Sequence, residues 1–129
     1  MKTPLIPISW GELFDKLTIL QIKLDNLQSQ IALKNVKIEY DQLSIIYDNH
    51  FLEDENARRI LVDLKQINNK LWDIEDKIRD KERNKAFDEE FIELARSVYI
   101  TNDERSSIKR KINNTFDSEI IEEKSYSDY

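Results

Sequence analysis

The stretch ILVDLKQINNKLWDIEDKIR (60–79) decides the fold. Its apolar residues Ile60, Leu64, Ile67, Leu71, Ile74 and Ile78 recur at alternating steps of four and three. That spacing puts all six on one stripe of an α-helix, the heptad pattern of helices that pack side by side. It predicts one helix from about Asp54 to Arg83, about 45 Å long at the rise of an α-helix. A helix of that length suits a helical hairpin or a coiled coil.

Towards the N-terminus the same rhythm recurs in Leu13, Leu17, Leu20, Leu24, Leu27 and Ile31. Ser9 and Glu12 frame its start as a capping box, the hydroxyl at the N-cap and the carboxylate three residues on. The next apolar set is Val36, Tyr40, Leu43 and Tyr47, five residues beyond Ile31 and out of register. A turn or kink is therefore expected at 32–35, then a second helix to about Asn49 and a polar loop over 49–56. Residues 1–8 hold both prolines, Pro4 and Pro7, and read as an extended arm whose Leu5 and Ile6 can pack on the body.

Towards the C-terminus, 84–86 is a short connection. Phe87 and Asp88 offer a hydrophobic staple and an N-cap. The stripe Phe91, Leu94, Val98, Ile108, Ile112 keeps register across two polar positions, Thr101 and Arg105. One continuous helix is expected, although Thr101 to Glu104 also spells a capping box. Residues 115–129 form an acidic tail. Short connections make the long helical arms antiparallel. The expected fold is all-α: an antiparallel helical bundle or hairpin with coiled-coil-like helices, in a single domain over 1–129.

Composition excludes a good deal. The 129 residues include one glycine, one histidine and no cysteine. Thiol chemistry, cysteine-based zinc sites and glycine-rich phosphate loops are absent, and a Ser-His-Asp triad has little to draw on. There are 20 basic and 26 acidic residues, a net charge of −6. The tail carries −4 of it, through Asp117, Glu119, Glu122, Glu123 and Asp128 against Lys124. A near-neutral body with an acidic tail disfavours nucleic acid as a partner. No stretch reaches the roughly 20 apolar residues of a membrane span, and the N-terminus lacks a signal-peptide pattern, so a cytoplasmic protein is expected.

Four constellations invite a chemical reading. Thr101 and Arg105 interrupt an apolar stripe, with Asn102, Asp103 and Lys109 nearby. A charge at a seam position faces either a ligand or a buried carboxylate that fixes register. Trp72, Glu75, Asp76, Arg79 and Asp80 crowd one region of the long helix. They read as a salt-bridge-laced face or, less simply, as acids placed for a divalent cation. Glu89, Glu90 and Glu93 resemble the acidic element of all-α magnesium-dependent nucleotide hydrolases, but the adjacent Asp103 and Glu104 make a poor second element. Arg105, Lys109, Arg110 and Lys111 form a basic cluster against which Glu122 and Glu123 can dock. No metal and no cofactor is expected.

The strings ISWGELFDKLTILQIKL (8–24), LWDIEDKIRDKE (71–82), FIELARSVYITNDERSSIKRKIN (91–113) and EEKSY (122–126) together resemble a family of unknown function. Its members are small all-helical proteins of bacteria and phages. The resemblance implies a free-standing domain and no particular activity. It marks Glu12, Asp15, Lys16 and Lys23, then Trp72, Glu75, Asp76, Arg79 and Lys81, as part of the family pattern. From the last helix and tail it adds Arg96, Tyr99, Asn102, Asp103, Arg105, Lys109, Glu123, Lys124 and Tyr126. The family pattern carries a glycine before the tail serine; here Asp117 precedes Ser118, so that turn is expected to differ. Antiparallel arms would bring Lys16, Arg79, Arg105 and Tyr126 near Glu12, Glu75 and Asp103, as a structural charge network or a pocket for a small anion.

Two functions follow as expectations. The first is a non-enzymatic interaction or accessory module that uses its heptad seams to bind protein, a homodimer being one such assembly. The second is a domain or enzyme that takes a small anionic ligand, such as a phosphate or nucleotide sugar. Its candidate binding residues are Glu12, Lys16, Trp72, Glu75, Arg79, Arg96, Tyr99, Asn102, Asp103, Arg105, Lys109, Lys124 and Tyr126.

Overall fold

A computed structural model describes all residues, Met1–Tyr129. It contains four helices and no strand: α1 (Trp10–Asn26), α2 (Gln30–Phe51), α3 (Glu55–Arg83) and α4 (Glu89–Thr115). Each begins at a side-chain cap. Ser9, Ser29, Asp54 and Asp88 accept the backbone N–H of Glu12, Ala32, Ala57 and Phe91, satisfying a donor that helix geometry leaves free. The all-α bundle expected from the heptads is present, and α4 runs through Thr101 without a break.

The first break lies elsewhere than expected. α1 ends at Asn26, whose side-chain amide donates to the Ile22 carbonyl. Leu27 is its C-cap, and Ser29 starts α2. The segment 32–35 is therefore helix, and Ile31 does not belong to the α1 stripe. The expected loop at 49–56 also shrinks, because α2 continues through Phe51 and Asp54 already caps α3. Leu5 and Ile6 do not pack on the body; residues 1–7 are exposed throughout.

α1 is the axis of the bundle. It packs against α2, α3 and α4, and α3 packs along α4. Enclosed by three neighbours, α1 buries residues on several faces: Leu13, Phe14, Leu17, Leu20 and Ile22, and with them Asp15 and Thr18. The core runs from Phe14 through Phe51, Ala57, Ile60 and Leu64 to Ile112. Each large apolar side chain buried there contributes about 1.5–3 kcal/mol. Phe14, Phe51 and Phe116 stack at ring distances of 4.7–5.8 Å and close the end where α2 turns into α3. The heptad seams of α1, α3 and α4 thus face each other inside one chain. At the other end no residue from Glu75 to Ile100 is buried, so the α3–α4 hairpin projects as a two-helix arm. Lys81 clasps its tip by ion pairs of 3.0 Å to Asp88 and to Glu90.

α2 has two apolar faces. Val36, Tyr40, Leu43 and Tyr47 are partly buried, and the Tyr40 hydroxyl accepts from Gln21 of α1. Half a turn away stand Ile31, Ile38, Ile45 and, just past the helix end, Leu52. They are 77%, 52%, 60% and 71% exposed. No helix of the chain is long and apolar enough to cross a membrane.

Candidate functional site

Three charged pairs tie α1 to α4 and the tail. The Asp15 carboxylate accepts from Arg105 Nε at 2.9 Å and from the Arg105 terminal nitrogen, a two-pronged contact that matches a planar guanidinium to a carboxylate. Asn68 of α3 donates to the same carboxylate at 2.9 Å and to the Thr18 hydroxyl at 2.8 Å. Lys109 reaches Glu12 at 2.9 Å and Glu122 of the tail at 3.2 Å. Asp15, Thr18, Asn68 and Lys109 are all buried.

Electrostatics follow from that enclosure. Burial pushes the Asp15 carboxyl up, but hydrogen bonds from Arg105 and Asn68 and the charges of Arg105 and Lys109 outweigh it. The carboxyl is left below its ordinary range. The hydrogen bond to Asp15 holds Arg105 above its ordinary value against the cost of burial. Burial pushes Lys109 down, and Glu12, Asp15 and Glu122 together more than reverse it. Each charge of the cluster thus has a stated partner. One group does not: the Thr101 hydroxyl is buried with no hydrogen bond.

The only glycine lets α1 and α4 approach. A Cβ on Gly11 would sit 2.6 Å from the Lys109 carbonyl oxygen. The Gly11 N–H donates to Asn113 Oδ1 at 2.7 Å, and the Trp10 N–H donates to Ser118 Oγ at 3.2 Å. Ser118 in turn donates to the Ile120 carbonyl, which starts the tail on its path back along α4. Asp117 before it has φ of 50°, in the left-handed region that glycine enters without strain. Arg110 pairs with Glu123 at 3.1 Å, so the acidic tail lies on the basic cluster of α4. The Tyr129 hydroxyl donates to Asp103, and that hydrogen bond pushes its pKa up to about 12.

Two hollows meet at Asn102 and Arg105. One, of about 500 Å³, is lined by Trp72, Glu75, Asp76 and Arg79 of α3 together with Ile19, Asn68 and Leu71. The other, of about 1010 Å³, lies between α4 and the tail, with Tyr99, Asp103, Lys124 and Tyr126 among its walls. Nine of the thirteen candidate binding residues line one or both: Trp72, Glu75, Arg79, Tyr99, Asn102, Asp103, Arg105, Lys124 and Tyr126. The expected convergence is only partly realised. Arg79 pairs with Glu75 at 3.4 Å within α3, while Arg105 takes Asp15. Lys16 and Arg96 form no ion pair and line neither hollow. No group of three or more histidine and acidic side chains is placed to share a metal ion.

Asp15, Thr18, Asn68 and Asn113, absent from the sequence-derived site set, hold this cluster together. Asp15 was within reach of the resemblance. Asn68 and Asn113 carry no sequence signal, because an asparagine in a charged helix looks the same whether it is solvated or buried.

No curated protein and no solved structure matches the chain. A family model does, over nearly the whole length, and the helices, the Asp15–Arg105 clasp and the docked tail all lie within its span. The chain belongs to the family of unknown function DUF6165, whose model matches residues 4–129.

Proposed function

We propose that the chain is a non-enzymatic helical module that works by binding a partner helix along α2. The observation that carries this reading is the outward stripe Ile31, Ile38, Ile45 and Leu52, repeated every seven residues and each more than half exposed. Isolated apolar residues are ordinary on a protein surface; a heptad line of four on one helix face is the surface of a helix that packs against another. The seams expected from the sequence to serve this role are spent on the core of the chain itself, and α2 supplies the surface instead. A crosslinking side chain placed at position 45 tests this. In the cell it is expected to give a covalent adduct that Ile38→Glu abolishes, while the same group at Lys77 on α3 gives none. No adduct from position 45 refutes the reading.

A second reading is favoured by the convergence of sequence-selected residues on the hollow at Trp72, Arg79, Asn102 and Arg105. It would take a small anionic ligand on the guanidinium groups, with Trp72 as an apolar wall. It ranks second because Arg105 is committed to Asp15 and Arg79 stands beside Glu75. A thermal-shift screen with sugar phosphates and nucleotide sugars checks it, since a ligand that binds only the folded state raises the unfolding temperature. A hit lost in Arg79→Ala supports this reading, and a flat screen ends it.

A further inference from the structure

We propose that the occupant of the outward face of α2 is a second copy of this chain, its α2 lying antiparallel to the first. The inference rests on the reading of that face as a docking surface and names its partner.

The charge pattern of α2 points to self-pairing in that direction. Lys34 and Lys37 stand in its first half; Asp41 and Asp48 stand in its second. Residues 34, 41 and 48 form a column flanking the isoleucine stripe, one place round the helix. Set two such helices antiparallel so that Ile31 faces Leu52 and Ile38 faces Ile45 of the second copy. All four apolar side chains are then covered, and Lys34 falls opposite Asp48 of the other copy twice along one edge. Neither Lys34 nor Asp48 has an ion-pair partner within the chain. Asp41 would meet its own counterpart at the two-fold axis, but it is already paired with Lys37. A parallel arrangement sets the 34/41/48 column against the amides at 35, 42 and 49 of the second copy, so neither Lys34 nor Asp48 meets an opposite charge. On the other flank Asn35, Gln42 and Asn49 repeat at the same interval. Antiparallel pairing sets this column of uncharged amides against itself, with no charge to conflict. A two-fold interface of this sort is isologous and closes at two copies.

Sedimentation equilibrium of the purified full chain tests the proposal. The wild type is expected at about twice its mass of 15.5 kDa. Ile38→Glu with Ile45→Glu is expected at the monomer mass, with unchanged helicity by circular dichroism, because neither side chain belongs to the core. Lys34→Glu alone and Asp48→Lys alone are each expected to weaken the dimer by about two- to tenfold, the size of exposed ion pairs. The double reversal Lys34→Glu/Asp48→Lys restores the antiparallel match and is expected to return wild-type affinity. A parallel pair would gain nothing from it, so failure to restore overturns the orientation and with it the proposal. A wild-type chain that stays monomeric at its highest soluble concentration also overturns it, as does a dimer that survives the two glutamates. The failures are separable: a monomer that still gives an adduct of another mass from position 45 refutes self-pairing and leaves the docking reading standing.

Discussion

Asp15 and Arg105, ninety positions apart, meet side-on, with both guanidinium prongs on one buried carboxylate. Removing one partner of such a pair strands the other charge away from water. Asp15→Ala is therefore expected to cost about 3–5 kcal/mol in urea unfolding. Arg105→Ala is expected to lower stability too, by less, because Asn68 still donates to Asp15 and Lys109 stands 3.9 Å away. A gain in stability from Arg105→Ala would mean that the guanidinium is strained for a ligand and would favour the hollow over α2.

The same pair sets an acid limit. The folded Asp15 carboxyl lies below its ordinary value of 3.8. Its contribution is therefore fully present above that value and is lost as pH falls through the folded one, since the unfolded chain takes up the proton first. Melting temperatures of wild type and Asp15→Asn measured against pH are expected to run apart near neutrality and to converge below about pH 4. A gap that holds its width well into acid would show that the carboxylate charge is not what stabilises the clasp.

Glycine chemistry acts in opposite directions at two places. Gly11→Ala drives a methyl into the Lys109 carbonyl and is expected to destabilise by about 1–3 kcal/mol. Asp117→Gly removes the cost of a left-handed residue and is expected to stabilise by about 0.5–1 kcal/mol. Calorimetry of the two variants checks both signs.

Apolar residues on the two kinds of seam should respond differently. Leu64 is fully buried between helices, so Leu64→Ala is expected to cost about 2–5 kcal/mol of folding stability. Ile45→Ala should change the stability of the monomer by no more than about 0.5 kcal/mol. Equal losses at both sites would place α2's outward face inside the fold.

Much of this fold is legible in the sequence. The caps at Ser9 and Asp88 follow from residue type and spacing, and the extent of α3 and the continuity of α4 from the single apolar stripe each carries. The break after Asn26 did not, for a physical reason. Leu24, Leu27 and Ile31 keep heptad phase across it, and no proline or glycine marks it. Treating Ile31 as the last of one stripe hid its place as the first of another, with Ile38, Ile45 and Leu52. Arg105 announced itself by interrupting an apolar run, and a buried carboxylate was one of the partners foreseen for it. Its partner Asp15 is buried because α1 is enclosed on several sides, a property of tertiary packing that one helix's pattern does not carry.

Backbone hydrogen exchange at two protein concentrations tests most directly the covering of α2 by a second copy. Exchange of α2 amides is expected to slow at the higher concentration, while those of the α3–α4 arm stay unchanged. Slowing confined to the arm, or none anywhere, would contradict it.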